Sequence, residues 1–81
     1  MAFPVSFSLR VIGRNDFDFP ALVVELVGRH ALEVDSTALV LRPSRDGNYI
    51  SVVLPVRLES REHYEAVFRE LNDHEAVIMV L

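Results

Sequence analysis

The fold is decided in the middle of the chain by residues 46–58, which read DGNYISVVLPVRL. The first part, Asp46-Gly47-Asn48, has the composition of a tight turn, because glycine readily adopts the positive φ that a hairpin requires. From Tyr49 onward, apolar and other side chains alternate, which is the period of a strand with one buried face. The apolar positions of this strand are Ile50, Val52, Leu54, Val56 and Leu58. The stretch therefore predicts a hairpin whose first strand covers residues 33–42.

Each segment on either side of the hairpin shows either the alternation of a strand or the spacing of a helix. Residues 3–11 alternate like a strand, and residues 19–30 have helical spacing after three candidate capping residues, Asn15, Asp16 and Asp18. Residues 64–71 place apolar side chains at i, i+3, i+4 and i+7, behind a helix cap at Ser60. A short apolar strand over residues 76–81 follows. The order of elements is therefore β-α-β-β-α-β.

This order predicts an α+β fold of the ferredoxin-like βαββαβ type, as a single domain over residues 1–81. Right-handed crossovers place both helices on one face of a four-stranded antiparallel sheet with the strand order 4-1-3-2. Pro55 lacks an N–H for the ladder, so we expect a local bulge or an unpaired position there. The side chains expected to share the core are Phe7, Leu9, Val52, Leu54, Phe68 and Leu71.

Composition narrows the classes of function. The chain contains twelve acidic residues and eight arginines, and its net charge is −4. This balance argues against a nucleic-acid-binding protein, which usually needs a basic face. Cysteine is absent and the N-terminal residues lack a basic leader, so we expect a cytoplasmic protein without a signal peptide. No apolar run has the length of a membrane span, so no membrane partner is expected.

The sequence contains no pattern typical of a catalytic, metal or cofactor site. The three histidines, His30, His63 and His74, lie far apart and lack the spacing of metal ligands. No glycine-rich phosphate loop or nucleophile elbow is present. We therefore expect a non-enzymatic protein with no catalytic residues, no metal and no cofactor.

Candidate binding residues lie on the sheet face away from the helices and in the hairpin. The expected open face carries Ser6, Ser8, Arg10, Tyr49, Ser51, Val53 and Arg57. The turn chemistry of residues 43–48 does not by itself require Arg42, Ser44 or Tyr49, which suggests contact with an anion or partner. Gly13, between a strand and a helix start, would let a ligand approach the backbone closely. The candidate binding residues are Arg10, Gly13, Arg42, Ser44, Gly47, Tyr49 and Ser51.

Several of these segments resemble a known family. They are Val11-Ile12-Gly13, Val27-Gly28-Arg29-His30-Ala31, Arg42-Pro43-Ser44, Gly47-Asn48-Tyr49-Ile50-Ser51 and the ending Val77-Ile78-Met79-Val80-Leu81. Together they look like the YbeD-like family of small bacterial proteins, a domain of unknown function. The resemblance spans nearly the whole chain and implies a fold like that of the ACT domain, a regulatory module that binds amino acids.

Three hypotheses for the function follow. The first is a small non-enzymatic regulatory or adaptor protein that binds a partner protein or a metabolite through its open sheet face and the hairpin of residues 42–51. The second is an ACT-like sensor that binds a small carboxylate or an amino acid near Gly13. The third is an acylphosphatase-like hydrolase that uses Arg14 and Asn15. The uncharged last strand lies at a sheet edge, which also suggests a homo-oligomer.

Overall fold

A computed structural model of the chain describes residues 2–16, 18–31 and 33–81. Its elements, in chain order, are β1 (Val5–Arg14), α1 (Phe19–Gly28), β2 (Glu33–Val34), a 3₁₀ helix (Ser36–Ala38), β3 (Val40–Pro43), β4 (Tyr49–Leu58), α2 (Arg61–Asp73) and β5 (Val77–Val80). The expected domain over residues 1–81 includes Met1, Phe17 and Leu32, which lie outside the described residues. The α+β class and the ferredoxin-like order are confirmed, apart from a break in the second strand.

The sheet has β1 and β4 at its centre. These two strands pair antiparallel over their full length, from Val5 opposite Leu58 to Arg14 opposite Tyr49. β5 pairs with the free side of β1, while β2 and β3 both pair with the free side of β4. If β2 and β3 are counted as one interrupted strand, the order is the predicted 4-1-3-2.

The prediction of a continuous strand over residues 33–42 is wrong, and Pro55 accounts for the break. Its carbonyl accepts a hydrogen bond from the Asp35 N–H at 3.1 Å, but its nitrogen has no hydrogen to return to that neighbour. Asp35 then turns the chain, because its carboxylate accepts hydrogen bonds from the backbone N–H and the hydroxyl of Thr37. These bonds, of which the one from the hydroxyl has the largest effect, hold the pKa of Asp35 below its ordinary value. The expected bulge is not found, because β1 and β4 pair without a register shift at Pro55. The expected loss of pairing occurs on the other side of β4, where it divides the neighbouring strand.

The first helix begins at Asp18, one of its three candidate caps, and the second begins at the predicted cap Ser60. The Asp18 carboxylate accepts a hydrogen bond from the Ala21 N–H at 3.4 Å, and the Ser60 hydroxyl accepts one from the His63 N–H at 3.2 Å. Pro20 lies in the first turn of α1, where its missing N–H costs little. In the described part of the chain, neither helix has the length and apolar character needed to cross a membrane.

The core lies between the helices and one face of the sheet. The buried side chains are Leu9, Val11, Phe19, Val23, Leu26, Val27, Ile50, Val52, Leu54, Val56, Leu58, Val67 and Leu71. Phe7 and Phe68, which we expected in the core, are only half-buried and pack against its edge. They join Phe3 and Tyr64 in an aromatic cluster, in which the ring centres of Tyr64 and Phe68 are 4.6 Å apart.

Candidate binding surface

The surface of interest is the side of the sheet that faces away from both helices, which we call the open face. Alternation along β4 buries Ile50 and Val52 against the helices, so Ser51 and Val53 lie on the open face. The strand register places Arg10 of β1 and Val40 of β3 on either side of Val53. It likewise places Ile12 and Arg42 on either side of Ser51. Side chains from three strands therefore meet on this face.

A cavity of about 150 Å³ opens at the centre of this arrangement. Its lining residues are Arg10, Val40, Arg42, Ser51 and Val53. Three of them, Arg10, Arg42 and Ser51, are candidate binding residues from the sequence, although they lie on three different strands. Two guanidinium groups and a hydroxyl beside apolar side chains provide hydrogen-bond donors for an anionic group and an apolar surface next to it.

A second depression, of about 220 Å³, continues from the first toward the hairpin. It shares Arg42 and Ser51 with the central cavity, and Ile12 and Tyr49 are among its other lining residues. Tyr49 is 46% exposed, so a large part of this residue is accessible to a partner. An aromatic ring with a polar end is typical of residues that anchor protein interfaces.

The hairpin turn uses Ser44 for its own structure. The Ser44 hydroxyl donates a hydrogen bond to the Asp46 carboxylate at 2.7 Å and accepts one from the Tyr49 N–H at 3.0 Å. The Asn48 N–H also donates to Asp46, and these two donors, led by Asn48, lower the pKa of that carboxyl group. The turn therefore needs Ser44, and the prediction that it does not is wrong.

Gly47 and Asn15 tie the same turn to the end of β1. Gly47 has a φ of 78°, a conformation that other residues adopt only at a cost. Its carbonyl accepts a hydrogen bond from the Asn15 side-chain amide at 3.0 Å, and the Asn15 N–H donates to the Asn48 carbonyl at 2.9 Å. Asn15, which the acylphosphatase hypothesis needs for positioning a water molecule, is thus engaged in holding the hairpin.

Gly13 lies on the helix side of the sheet and is separated from the open face. A Cβ added there would lie 2.2 Å from the Phe19 ring and 2.6 Å from the Ala76 carbonyl oxygen. The space beside this glycine is therefore filled by the protein itself. A cavity of about 340 Å³ near the start of α1 is lined by Arg14, Asp16, Asp18, Phe19, Leu22, His74, Glu75 and Ala76. Its three carboxylates disfavour the small carboxylate ligand of the sensor hypothesis.

Charge is distributed unevenly between the sheet and the rest of the molecule. The strands β1, β3, β4 and β5, within their described bounds, contain four exposed arginines and no Asp or Glu. These are Arg10, Arg14, Arg42 and Arg57. In the described residues, ion pairs form instead at Arg29 and His30. Although the net charge is negative, these four strands carry only positive side-chain charges, and the acidic residue of the sheet is Glu33 on the short strand β2.

The ion pairs connect the end of α1 to α2. The Glu70 carboxylate accepts hydrogen bonds from the Arg29 guanidinium and from His30 Nε2, the latter at 2.7 Å. Arg29 also donates to Glu25 at 3.3 Å. The His30 hydrogen bond, followed by that of Arg29, lowers the pKa of Glu70. Across the described ranges, no group of three His, Cys, Asp or Glu side chains is arranged to hold a metal ion.

The lowered pKa of Glu70 predicts an acid-dependent contribution to stability. A carboxylate with a lower pKa in the folded state stabilises it above the unfolded-state pKa of about 4.3, and this contribution is lost as the pH falls through the folded-state value. The advantage of wild type over Glu70→Gln in unfolding free energy should therefore be retained at about pH 5 and shrink toward pH 3. Urea unfolding across this range measures it.

Glu65→Gln is the matched control for this experiment, because Glu65 is an exposed carboxylate on the same helix. Its stability difference from wild type should stay nearly constant over the same range. A Glu70→Gln difference that is equally constant would show that the contacts with Arg29 and His30 do not stabilise the folded state.

The sequence-based description of the open face left out Ile12, Val40 and Met79, of which Ile12 lines the second depression. Val40 lies on the interrupted edge strand β3 and is 57% exposed, and Met79 lies opposite Ile12 on β5 and is 48% exposed. The alternation of residues 33–42 was irregular, and the β1–β5 register shifts between Ile12 and Gly13. Neither Val40 nor Met79 could be assigned to a face without knowing these pairings.

Comparisons with known proteins agree with this structure. A family model described as "Protein of unknown function (DUF493)" matches residues 1–81. A UPF0250 protein of Hahella chejuensis is 38% identical over 79 residues, which cover 98% of this chain and 87% of that protein. UPF0250 proteins of Neisseria gonorrhoeae and Paraburkholderia phymatum are 35% and 34% identical, again over 98% of this chain and over 87% and 89% of their own lengths. The resemblance to the YbeD-like family is thereby confirmed.

Two solved structures share the fold. The ACT domain from the GTP pyrophosphokinase of Chlorobium tepidum superposes with a TM-score of 0.73, 13% identity and 96% coverage of both chains. Protein HP0495 from H. pylori superposes with a TM-score of 0.71 and 14% identity, over 100% of this chain and 85% of its own. At these identities the likeness establishes an ACT-like arrangement of the backbone, and function has to be argued from the side chains.

Proposed function

Because the chain belongs to the DUF493 family, with an ACT-like fold, we propose that it is a small non-enzymatic regulatory or adaptor protein that binds a partner protein through its open face. The observation that carries this proposal is the meeting of Arg10, Arg42 and Ser51 in one cavity, beside the exposed side chains of Val40 and Tyr49. Arginine and tyrosine are enriched among the residues that contribute most to protein interfaces. We further propose a cytoplasmic location, supported by the absence of cysteine from the sequence.

The dimensions of the open face favour a protein over a metabolite. The two depressions, of about 150 and 220 Å³, are smaller than most sites that enclose a small molecule, which measure about 300–1,000 Å³. They lie side by side on a sheet and share two lining residues, so together they form one broad surface. Such a surface is suited to several side chains of one partner.

A capture experiment with a double variant tests this proposal. Tagged wild-type protein should retain bacterial proteins from a lysate that Arg42→Ala, Tyr49→Ala no longer retains, because the variant removes a guanidinium and an aromatic ring from the open face. Both side chains are exposed, so the variant should fold, and circular dichroism during heating checks this. Mass spectrometry of the retained proteins is the readout.

The matched control carries the same kinds of change on the helical side. Arg69→Ala with His63→Ala removes an exposed arginine and an exposed ring from α2. It should retain the same proteins as wild type. If the two variants lose the same proteins, or if neither loses any, the proposed role of the open face is wrong.

The edge of the sheet predicts weak self-association as a separate property. β5 lies at one end of the strand order and contains no charge or proline, and Ile78 and Met79 are about half exposed. Unprotected edges of this kind pair with other strands. Analytical ultracentrifugation should show concentration-dependent association that Ile78→Lys reduces and that Ala21→Lys, an exposed change on α1, leaves unaltered. Wild-type protein that stays monomeric at about millimolar concentration would contradict the prediction.

A further inference from the structure

The open face combines two arginines, a hydroxyl and an apolar border, and the charges around it determine which kind of ligand this combination can bind. The chain contains twelve acidic residues, yet the strands β1, β3, β4 and β5 contain none of them. Among these strands' arginines, Arg57 lies opposite Glu33 of β2, so a carboxylate is already its cross-strand neighbour. Arg10 and Arg42 instead border the central cavity, and the described residues that line it include no carboxylate.

We infer that the partner presents an acidic segment to the open face and that a carboxylate side chain of this segment is bound between Arg10 and Arg42. The inference rests on the proposed function and names the chemistry of the partner. Arginine binds carboxylates through paired, charge-assisted hydrogen bonds, and Ser51 adds a hydroxyl donor in the same cavity. The volume of about 150 Å³ suits the head group of one side chain.

The apolar border describes the rest of the partner. Val40 and Val53 line the same cavity as the two arginines, and Ile12 and Tyr49 line the adjoining depression. An acidic segment that also carries apolar or aromatic side chains would bury these residues when its carboxylate is bound, and this burial adds affinity. The partner is therefore a mixed acidic and apolar protein segment.

Charge complementarity separates this partner from the alternatives. A second copy that packed face to face would bring the arginines of both copies together, and this repulsion disfavours a symmetric dimer through the open face. A nucleic acid would also offer anions to Arg10 and Arg42. Because it is long and highly charged, however, it would be repelled by the net charge of −4 carried by the whole molecule.

Nuclear magnetic resonance of the ¹⁵N-labelled full chain tests the inference with defined probes. The first probe is a twelve-residue peptide in which Glu alternates with Leu or Phe. The second is the same peptide with every Glu replaced by Gln. A single-stranded DNA oligonucleotide of similar charge is the third. The acidic peptide should shift the amide signals of Ser51 and Val53, and the other two probes should shift them far less at the same concentration.

Charge-removing variants give the quantitative result. Arg10→Gln with Arg42→Gln should weaken binding of the acidic peptide by about tenfold or more, since it removes both charged donors. Arg57→Gln, a change of the same type on the same face, should alter it by less than about twofold, because Arg57 lies away from the cavity. All three positions are exposed, and thermal unfolding confirms that each variant is folded.

The possible failures are distinguishable. Equal shifts with the Glu and Gln peptides would overturn the acidic partner while supporting a docking role for the open face. Stronger shifts with the oligonucleotide would overturn it in favour of a nucleic-acid ligand. If the Arg57 variant and the Arg10, Arg42 variant weaken binding of the acidic peptide equally, the carboxylate site between Arg10 and Arg42 is overturned. The peptide would then be held only by the general positive charge of the open face. Peptide shifts confined to the helices would contradict both the inference and the proposed function.

Discussion

Leu54→Ala should lower the free energy of unfolding by about 2–5 kcal/mol. Leu54 is fully buried in the middle of β4, and its neighbour across the β1–β4 pair is Leu9, which is also fully buried. Removing the larger part of the side chain leaves a cavity that the two paired strands cannot close, because their hydrogen bonds hold them in place. Small domains are typically stable by about 5–15 kcal/mol, so this loss is a large share of the total.

Urea unfolding followed by circular dichroism measures the loss, and two further variants calibrate it. Val53 comes directly before Leu54 in β4 and lies on the open face. Val53→Ala should therefore lower the free energy of unfolding by less than about 1 kcal/mol. Phe68→Ala should fall between the two, because the Phe68 ring is only half-buried in the aromatic cluster. A Leu54→Ala loss no larger than that of Val53→Ala would contradict the packing of β4 against the helices.

The hydrophobic periods predicted the fold well because they report which face of each element is buried. Ten residues of alternation in β4, and the helix caps at Asp18 and Ser60, are local signals that the tertiary structure has no reason to override. The strand break at Pro55 needed one more fact. A proline blocks only the neighbour toward which its nitrogen points, and the sequence does not identify that neighbour.

The open face was predicted in part, because the alternation of a strand also indicates which residues share a face. Arg10, Arg42 and Ser51 converge because a period of two and the strand order together place them on one face. The role of Ser44 was misjudged because its hydrogen bonds to Asp46 and Tyr49 depend on the detailed geometry of the turn. Glycine positions are harder still, since the space around them is filled by residues distant in sequence.

Gly13→Ala is the second large effect we expect, with a loss of about 1–3 kcal/mol in the free energy of unfolding. The added methyl group would lie 2.2 Å from the Phe19 ring and 2.6 Å from the Ala76 carbonyl oxygen. The first contact is with a side chain in the core, and the second is with backbone beside β5. Relief of either contact would require the start of α1 or the β5 side of the sheet to move.

Gly28→Ala is the matched control for this prediction, because a Cβ added at Gly28 meets no atom of the described residues within 4 Å. It lies in the last turn of α1, where alanine should leave stability unchanged or raise it by up to about 1 kcal/mol. Phe19→Leu separates the two contacts at Gly13, since it replaces the ring with a smaller side chain but leaves the Ala76 carbonyl in place. The double variant Gly13→Ala, Phe19→Leu should therefore lose less stability than the sum of the two single losses. Strict additivity would mean that Phe19 does not limit the space at Gly13, and the Ala76 backbone alone would then explain why this position requires glycine.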